Sequence, residues 1–356
     1  STKYVNRNLM TFEINNIKNP QIKKIMRSLD NLYSLFLLKV SDEHKIHLNQ
    51  TDNNYNDLPE SKIIFGKKDN YTKSLPTNTL VTKDWERSHG NNSSNRFSNL
   101  KQINLDNIHR LDLAWKYKFD EVKRDIQANP IIAENRIYLP STGDKIIAID
   151  SEKGNKIWEH KVDGVPARRG LVYWSGNNNV KSRIYFCAEK QLISINPKDG
   201  KFVVGFGKNG SVKLKRRCKV SPVIINDKLI IATFEPAMEV YNLFNGKLLW
   251  KYYLKEKKFN KNRYGGKRYD YSGGNPWGGI SADTERGIVF LTTGNAGFFF
   301  NGVNRPGNNK YSNSIIAIDI INKKKLWDFQ EISHDIWNLD IPAPPILTSI
   351  KKNDIK

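Results

Sequence analysis

The sequence holds little of several features that mark particular classes of protein. It has 2 cysteines among 356 residues, Cys187 and Cys218, which are too few for a disulfide-rich scaffold or a cysteine zinc cluster. Its longest apolar stretch, Leu32 to Val40, is much shorter than the roughly 18 residues that a membrane-spanning helix needs. The first residues contain no secretory hydrophobic region either, although a chain that begins at Ser1 is compatible with a leader that has been removed.

Acidic residues are also scarce relative to basic ones. The chain has 58 Lys and Arg against 36 Asp and Glu, for a net charge of +22. Such a charge is typical of a protein that binds nucleic acid or an anionic surface. It is also what an AT-rich coding sequence gives, since Lys is scattered, Asn is frequent and Ile fills many apolar positions. We favour this second interpretation and expect no nucleic-acid partner, because no helix-turn-helix, zinc-finger or RNA-binding signature is present.

The first 83 residues differ from the rest of the chain. Gln21–Leu38 could form an amphipathic helix, whereas Asn49–Thr79 is rich in small polar residues and is typical of a loop. From about Asp84 onward, short β-branched runs alternate with Gly, Asn and Asp turns, which indicates many short strands. We therefore predict a partly helical or irregular N-terminal region over residues 1–83, of unknown role, and an all-β domain over residues 84–356.

A repeat organises the β-rich part. Its fullest copy, Asn129–Trp158, reads as four short strands separated by three turns. The second half of this unit recurs three times, and its copies end at Phe202, Trp250 and Trp327. The turn residues that mark the four copies, at spacings of 46, 46 and 77, are Asp150, Asn196, Asn242 and Asp319.

A period of about 40–50 residues with four strands predicts the blade of a β-propeller. The Asp or Asn and the following Gly shape the turn between the third and fourth strands, and the closing Trp is suited to docking between blades. The last copy has Lys323 where the others have Gly, so we expect its turn to differ. The alternative is a β-sandwich with hairpins of chance similarity, which four copies in register disfavour.

The end of the repeat, Ala-x-Asp-x-x-x-Gly-x-x-x-Trp, resembles the repeat of pyrroloquinoline quinone (PQQ) enzymes. Further segments follow in the order of the quinoprotein dehydrogenases, among them DWERSHGNNSSNRFSNLKQI, ARRGLVYW, GGNPWGGISAD, TTGN and FQEISHDIWNLDIPAPPIL. The likeness runs from about Asp84 to Leu347 and is greatest to the membrane-type quinoprotein glucose dehydrogenases. It implies an eight-bladed propeller with PQQ and a calcium ion on its axis.

The resemblance also assigns roles to single residues around the cofactor. Trp277, which stands among glycines, would be the flat platform beneath the planar ring system. Arg169 would bond the quinone with charge-assisted hydrogen bonds, with Arg168 as a weaker candidate. Gln127 would contact a cofactor carboxylate, because an amide can donate without repelling the anion.

Calcium needs six or more oxygen ligands and would polarise the quinone carbonyl as a Lewis acid. The resemblance makes Asn295 one ligand and requires a carboxylate in the loop after the strand LIIAT. Glu235 is the nearest carboxylate, and Glu239 is the alternative because this loop is shorter than in many relatives.

The family's catalytic base is the carboxylate that follows the Trp of a His-Asp-x-Trp-Asp motif, and here Asn338 takes that position. A neutral amide cannot accept the hydroxyl proton of the substrate. Asp335 or Asp340 could serve instead, and Asp340 would share a face with Asn338 if the segment is extended. Otherwise the enzyme tolerates Asn, or the protein binds PQQ without efficient catalysis.

Two more departures bear on function. The adjacent cysteine pair of the alcohol-oxidising branch is replaced by Asp163 and Gly164, which favours the sugar-oxidising branch. Relatives continue for several blades beyond Lys356, and four repeats cannot close an eight-bladed ring. We therefore expect an N-terminal portion that holds about half of the propeller.

The predicted function is PQQ- and calcium-dependent oxidation of a sugar (aldose) or alcohol, with electrons passed to ubiquinone or a cytochrome. The expected location is the periplasm, with or without an association with the inner membrane. The alternative from another class is a non-catalytic propeller that binds proteins, as in outer-membrane assembly lipoproteins. Such a scaffold needs the blades but not Arg169, Trp277 and Asn295 in family order.

Overall fold

The computed structural model describes residues 84–120, 125–255, 273–297 and 307–348 and a few single positions, all but one of which lie in a compact unit, Asn70–Lys356. Within this part the chain forms sixteen β-strands and one short 3-10 helix, Ile108–Arg110. No helix of the described part is long and apolar enough to span a membrane. The predicted N-terminal region, including its helix at Gln21–Leu38, lies outside the described residues.

The strands form four antiparallel sheets, and each sheet is a meander of four consecutive strands. The first blade consists of β1 Ile131–Ala133, β2 Arg136–Pro140, β3 Lys145–Asp150 and β4 Lys156–Lys161. The second consists of β5 Val172–Trp174, β6 Arg183–Ala188, β7 Gln191–Ile195 and β8 Ser211–Lys213. The third consists of β9 Val223–Ile225, β10 Lys228–Thr233, β11 Ala237–Asn242 and β12 Leu248–Tyr253. The fourth consists of β13 Gly279–Asp283, β14 Ile288–Thr292, β15 Ser314–Asp319 and β16 Lys324–Gln330.

These sheets confirm the predicted all-β class and the four-stranded blades, and four blades amount to half of the eight-bladed ring. The wider spacing before Asp319 also has a plain cause. The connection between β12 and β13 and the one between β14 and β15 are both longer in the fourth blade than their counterparts in the third blade.

The inner strands are apolar on both faces because each blade is packed on two sides. In β3, the four consecutive residues from Ile146 to Ile149 are buried, and successive side chains of a strand point to opposite faces. Ile146 packs with residues of β6 in the second blade. Ile147 packs on the other side against Trp115 and neighbouring aromatic residues of the segment that precedes β1. An unbroken apolar run is therefore what this position in a propeller requires.

The closing tryptophans dock on the turn of the following blade. Trp158 of the first blade donates its Nε1 hydrogen to the carbonyl oxygen of Pro197 in the second, at 2.9 Å. A Cβ at Gly200, in the same turn, would lie 2.7 Å from the Trp158 ring. Trp115 repeats this arrangement on the first blade, where a Cβ at Gly154 would lie 2.5 Å from its ring. The turn glycine therefore serves the docked indole as well as the turn.

The fourth blade corrects one expectation about the turn. Lys323 adopts φ +55°, close to the +71° of Gly154, and Asp319 still accepts hydrogen bonds from the next two turn amides at 2.9 Å each. The turn thus keeps its left-handed conformation, and the prediction that it differs is wrong. The closing tryptophan of the third blade differs from Trp158 in its hydrogen bonding, since Trp250 Nε1 is buried without a partner among the described residues.

Two features that the sequence did not predict tie the blades together. Cys187, in β6, forms a disulfide with Cys218, which precedes β9, and thereby links the second and third blades. Arg87 of the opening segment is buried, and its guanidinium donates to the carbonyl oxygens of Ser221, Pro222 and Ile280 at 2.8–3.2 Å. Burial lowers the pKa of Arg87 to about 9, so the guanidinium still carries its charge at neutral pH.

Candidate cofactor site

The order of the strands in each blade determines which loops lie close enough to form a site. In an antiparallel meander, successive connections lie at alternate ends of the sheet. The segments that precede the first strand of each blade therefore share one end with the loops between the second and third strands. This end carries Arg169 before β5, Lys219 before β9, Trp277 before β13 and Asn295 after β14.

These segments enclose a cavity of about 300 Å³. It is lined by Gln127, Arg168, Arg169, Lys219, Phe234, Asn275, Trp277, Gly294, Asn295 and Asp340. Five of the eight residues preferred from the sequence thus line one cavity, as does the weaker candidate Arg168, although they are spread over more than two hundred positions. The other three, Glu235, Asp335 and Asn338, do not line it, and neither does the alternative ligand Glu239.

An aromatic face and a cation meet on one side of the cavity. The Arg169 Cζ lies 4.4 Å from the centroid of the Trp277 ring, within range of a cation–π interaction. Arg169 Nη1 also donates to the carbonyl oxygen of Pro342 at 2.7 Å. Burial lowers the pKa of the Arg169 guanidinium below its ordinary value. The indole and the guanidinium are thus held together where a flat anion could contact both.

Glycines let the backbone approach the edge of this indole. A Cβ at Gly294 would lie 2.5 Å from Trp277 Nε1 and 2.6 Å from Asp340 Oδ1. A Cβ at Gly274 would collide with the carbonyl oxygen of Gly294. The glycine-rich sequence around Trp277 is therefore explained by close packing of backbone against the indole and the neighbouring carboxylate.

Asn295 and Asp340 form the polar side of the cavity. The backbone N–H of Asn295 donates to Asp340 Oδ1, and its side-chain Nδ2 donates to the carbonyl oxygen of Asp335 at 3.0 Å. Its Oδ1 accepts a hydrogen bond from the Ala296 backbone at 2.7 Å. Asp340 supplies the one carboxylate among the described residues that line the cavity.

Asp335 and Asn338 support the loop that carries Asp340. The buried carboxylate of Asp335 accepts hydrogen bonds from the backbone N–H groups of Trp337 and Leu339, at 2.8 and 2.7 Å, and from Asn313 Nδ2 at 3.0 Å. These bonds fold the turn and occupy the carboxylate. Asn338 adopts φ +61°, and its Oδ1 is buried without a hydrogen-bond partner in the described part of the chain. Neither residue is among those that line the cavity.

Glu235, the carboxylate predicted to bind the metal, forms ion pairs with two lysines. Lys251 Nζ lies 2.6 Å from Glu235 Oε2 and 2.8 Å from Glu239 Oε1, and Lys215 pairs with Glu235 as well. Burial alone would raise the pKa of the Glu235 carboxyl, but hydrogen bonds from Lys215 and Lys251 outweigh it and lower that pKa. Thr233 and Tyr241 donate hydroxyl hydrogens to Glu239.

The cavity residues fit PQQ better than they fit the predicted calcium site. A planar tricarboxylate matches the Trp277 face, the Gln127 amide and the surrounding cations. For calcium, Glu235 and Glu239 are outside the cavity and are paired with lysines. This leaves Asp340 as the one carboxylate and the amides of Gln127, Asn275 and Asn295 as the other side-chain oxygen donors among the described lining residues. The described residues contain no cluster of three or more acidic, histidine or cysteine side chains that could hold a metal. The Glu235–Asn295 pair predicted from the sequence is not brought together here.

Lys219 and Phe234 are cavity residues that the sequence did not single out. The Lys219 Nζ lies 5.2 Å from the Phe234 ring centroid. Burial, followed by repulsion from Arg217, Arg168 and Arg169, lowers the pKa of Lys219 below its ordinary value. The available signal was the basic stretch at residues 213–219, before β9.

Comparison with known proteins places the chain in a family. Residues 85–356 match the PQQ family described as glucose/ethanol/alcohol dehydrogenase, beta-propeller domain. The chain belongs to this family. It is 27% identical over 322 residues to the quinoprotein glucose dehydrogenase of Escherichia coli (strain K12), covering 78% of this chain and 40% of that protein. It is 26% identical over 310 residues to the quinohemoprotein alcohol dehydrogenase of Comamonas testosteroni, covering 78% of this chain and 43% of that protein.

The fold agrees with solved structures of the family. The crystal structure of the Comamonas testosteroni quinohemoprotein alcohol dehydrogenase superposes with a TM-score of 0.62 at 24% identity, over 77% of this chain and 45% of that one. A europium-containing methanol dehydrogenase gives 0.58 at 22% identity, over 72% and 50%. At these identities the likeness concerns the propeller alone. The chain spans about two fifths of the length of the first relatives, and the predicted family and partial coverage are confirmed.

Proposed function

We propose that the chain forms part of a PQQ-dependent dehydrogenase that oxidises a CH–OH group of a sugar (aldose) or an alcohol. One observation carries the proposal, namely that Gln127, Arg169, Trp277, Asn295 and Asp340 line a single cavity of about 300 Å³. A protein-binding scaffold would need the blades and their turns. It would not need an indole face, cations and a carboxylate gathered around one cavity at the end of the propeller.

The chain's own residues would bind and orient the cofactor. Trp277 offers the face for stacking, Arg169 and Lys219 offer positive charge to the cofactor carboxylates, and Gln127 offers an amide. When bound, PQQ supplies an ortho-quinone that accepts a hydride from the carbon of the substrate. Asp340 would take the hydroxyl proton, since it is the one carboxylate among the described residues that line the cavity. The amide of Asn338 has no such capacity.

The proposal also includes a calcium ion, an electron acceptor and a cellular location. Asn295 and Asp340 could offer oxygens to a metal ion, whereas Glu235 is engaged with Lys215 and Lys251. Ubiquinone or a cytochrome is the acceptor that the family suggests. A periplasmic location is supported by the Cys187–Cys218 disulfide, because such bonds persist in oxidising compartments.

A second candidate is a quinoprotein that binds PQQ without efficient turnover. Two observations favour it, namely Asn338 in the position of the base and the lysine-bound state of Glu235. Under this alternative, PQQ would bind in the same cavity, and the substitution Asn338→Asp would restore turnover.

The test is reconstitution of the 356-residue chain with PQQ, with and without calcium, followed by reduction of an artificial dye in the presence of an aldose or an alcohol. We expect saturable PQQ binding and substrate-dependent dye reduction. Binding without turnover, rescued by Asn338→Asp, would establish the second candidate. Absence of PQQ binding would overturn the cofactor assignment.

A further inference from the structure

A second cavity adjoins the candidate cofactor site. It has a volume of about 480 Å³ and lies between the β2–β3 loop, the segment before β5, the turn after β6 and the segment before β9. Arg168 and Lys219 line both cavities. The two cavities are therefore neighbours, and the roles that the sequence assigned to single residues do not include the second one.

One wall of the second cavity is positively charged. Arg168, Arg217 and Lys219 line it, and Arg217 forms no ion pair with any residue that the structure describes. Arg168 pairs with Asp125 at 2.9 Å, but both side chains are about half exposed. Burial and repulsion from Arg217, Arg168 and Arg169 lower the pKa of Lys219, and the nearby carboxylate of Glu189 offsets this only in part. A bound anion would relieve the remaining repulsion.

The second cavity also offers hydrogen-bond acceptors. The carboxylates of Asp144 and Glu189 line it together with Thr142, and Asp144 has a long ion pair of 3.5 Å with Lys161. Carboxylates repel an anionic group but accept hydrogen bonds from hydroxyl groups. Cations and acceptors around one cavity thus match a ligand that carries both an anionic group and hydroxyl groups.

The disulfide holds the cationic wall in place. Cys218 lines the cavity between Arg217 and Lys219, and it is bonded to Cys187 in β6. The segment that carries the two cations is therefore attached covalently to the second blade. Such preorganisation reduces the entropy lost when a ligand binds.

We propose that the second cavity binds the anionic end of a hydroxylated substrate, so that the substrate class is an acidic sugar or polyhydroxy acid. This inference rests on the proposed function, because it takes the neighbouring cavity as the place of oxidation. PQQ itself does not explain the whole arrangement, since Arg217 lines the second cavity and not the first.

The experiment measures binding of three probes to the 356-residue chain by calorimetry at low salt: D-gluconate, glucose 6-phosphate and neutral D-glucose. We expect the two anions to bind at least about tenfold more tightly than glucose. Gluconate and the phosphate sugar separate a carboxylate-selective site from a general anion site, and a preference for either over glucose supports the proposal. Added salt should weaken the binding of the two anions and leave the binding of glucose unchanged.

The substitution Arg217→Gln should weaken gluconate binding about tenfold and leave PQQ binding unchanged. The matched control is Arg216→Gln, because Arg216 is an exposed neighbour that lines neither cavity. Equal binding of glucose and gluconate, or an equal loss in the two variants, would overturn the anion site. An anion preference that depends on Arg217 in a chain that does not bind PQQ would leave the anion site standing and refute the proposed function.

Discussion

The first and third blades are built from the same repeat, yet they differ in the contacts of their closing tryptophan and of the loop between their second and third strands. In the first blade, Trp158 lies on Gly200 with its indole N–H bonded to Pro197, and the β2–β3 loop opens onto a cavity. In the third blade, the indole N–H of Trp250 is buried without a hydrogen-bond partner in the described residues. The β10–β11 loop there carries Glu235, which pairs with two lysines. The repeat thus sets the backbone, while the side chains of each blade decide the hydrogen bonding of the closing indole and which loop groups stay available to a ligand.

The largest effect is expected from Lys251→Met in the third blade. This change would leave Glu239, which is buried, and Glu235 without their shared cation. We expect the free energy of unfolding to fall by about 3 kcal/mol, measured by urea denaturation, because an uncompensated buried charge is costly. Lys215→Met is the control, since Lys215 is largely exposed and should cost less than about 1 kcal/mol. Equal effects would show that the network is only a surface feature.

Asp340→Asn tests which carboxylate acts at the cavity. If Asp340 takes the substrate proton, turnover of the PQQ-loaded chain should fall about 100-fold, while PQQ affinity should change little. Asn338→Asp is the companion variant, because Asn338 is two residues away and does not line the cavity. A rise in turnover with Asn338→Asp, together with an unaffected Asp340→Asn, would move the base to position 338.

Lys323→Gly should relieve strain in the turn of the fourth blade. It removes a non-glycine residue from φ +55°. We expect the free energy of unfolding to rise by about 1 kcal/mol. Gly200→Ala tests the equivalent turn of the second blade, since its Cβ would lie 2.7 Å from the Trp158 ring, and it should lower stability by a similar amount or more. Thermal unfolding measures both, and a loss of stability in Lys323→Gly would contradict the strain at this turn.

The smallest expected effect concerns how the stability of the folded chain depends on pH. The pKa of Glu235 is lowered in the folded chain, so its contribution to stability is present above the ordinary carboxyl pKa of 4.5. That contribution should disappear as the pH falls through the lowered pKa. Urea midpoints followed from neutral pH downward should therefore decline slightly less steeply in Glu235→Gln than in the unaltered chain. Parallel curves would mean that the lysines do not hold the carboxylate in the folded state.

The sequence predicted what depends on local pattern. The spacing of Asp150, Asn196 and Asn242 indicated the blades, and the segments around Arg169 and Trp277 indicated the cavity. These predictions hold in the structure because a meander of four strands places equivalent loops at the same end of each sheet.

What the sequence did not predict depends on distance between separate strands. Glu239 and Lys251 are brought opposite each other by the β11–β12 register. Because of this register, Lys251 also pairs with Glu235, the residue that was expected to bind a metal ion. Cys187 and Cys218 come from different blades. Lys219 carried a signal in its basic surroundings, but net charge alone does not distinguish a cation in a cavity from one in solvent.

The central claim is that the Trp277 cavity binds PQQ, and the most direct measurement is titration of the 356-residue chain with PQQ while tryptophan fluorescence is recorded. We expect saturable quenching at one PQQ per chain, weakened at least about tenfold by Trp277→Leu. The control Trp327→Leu, at an exposed indole in β16, should leave the affinity unchanged. Quenching that does not saturate, or equal affinities in the two variants, would contradict the account.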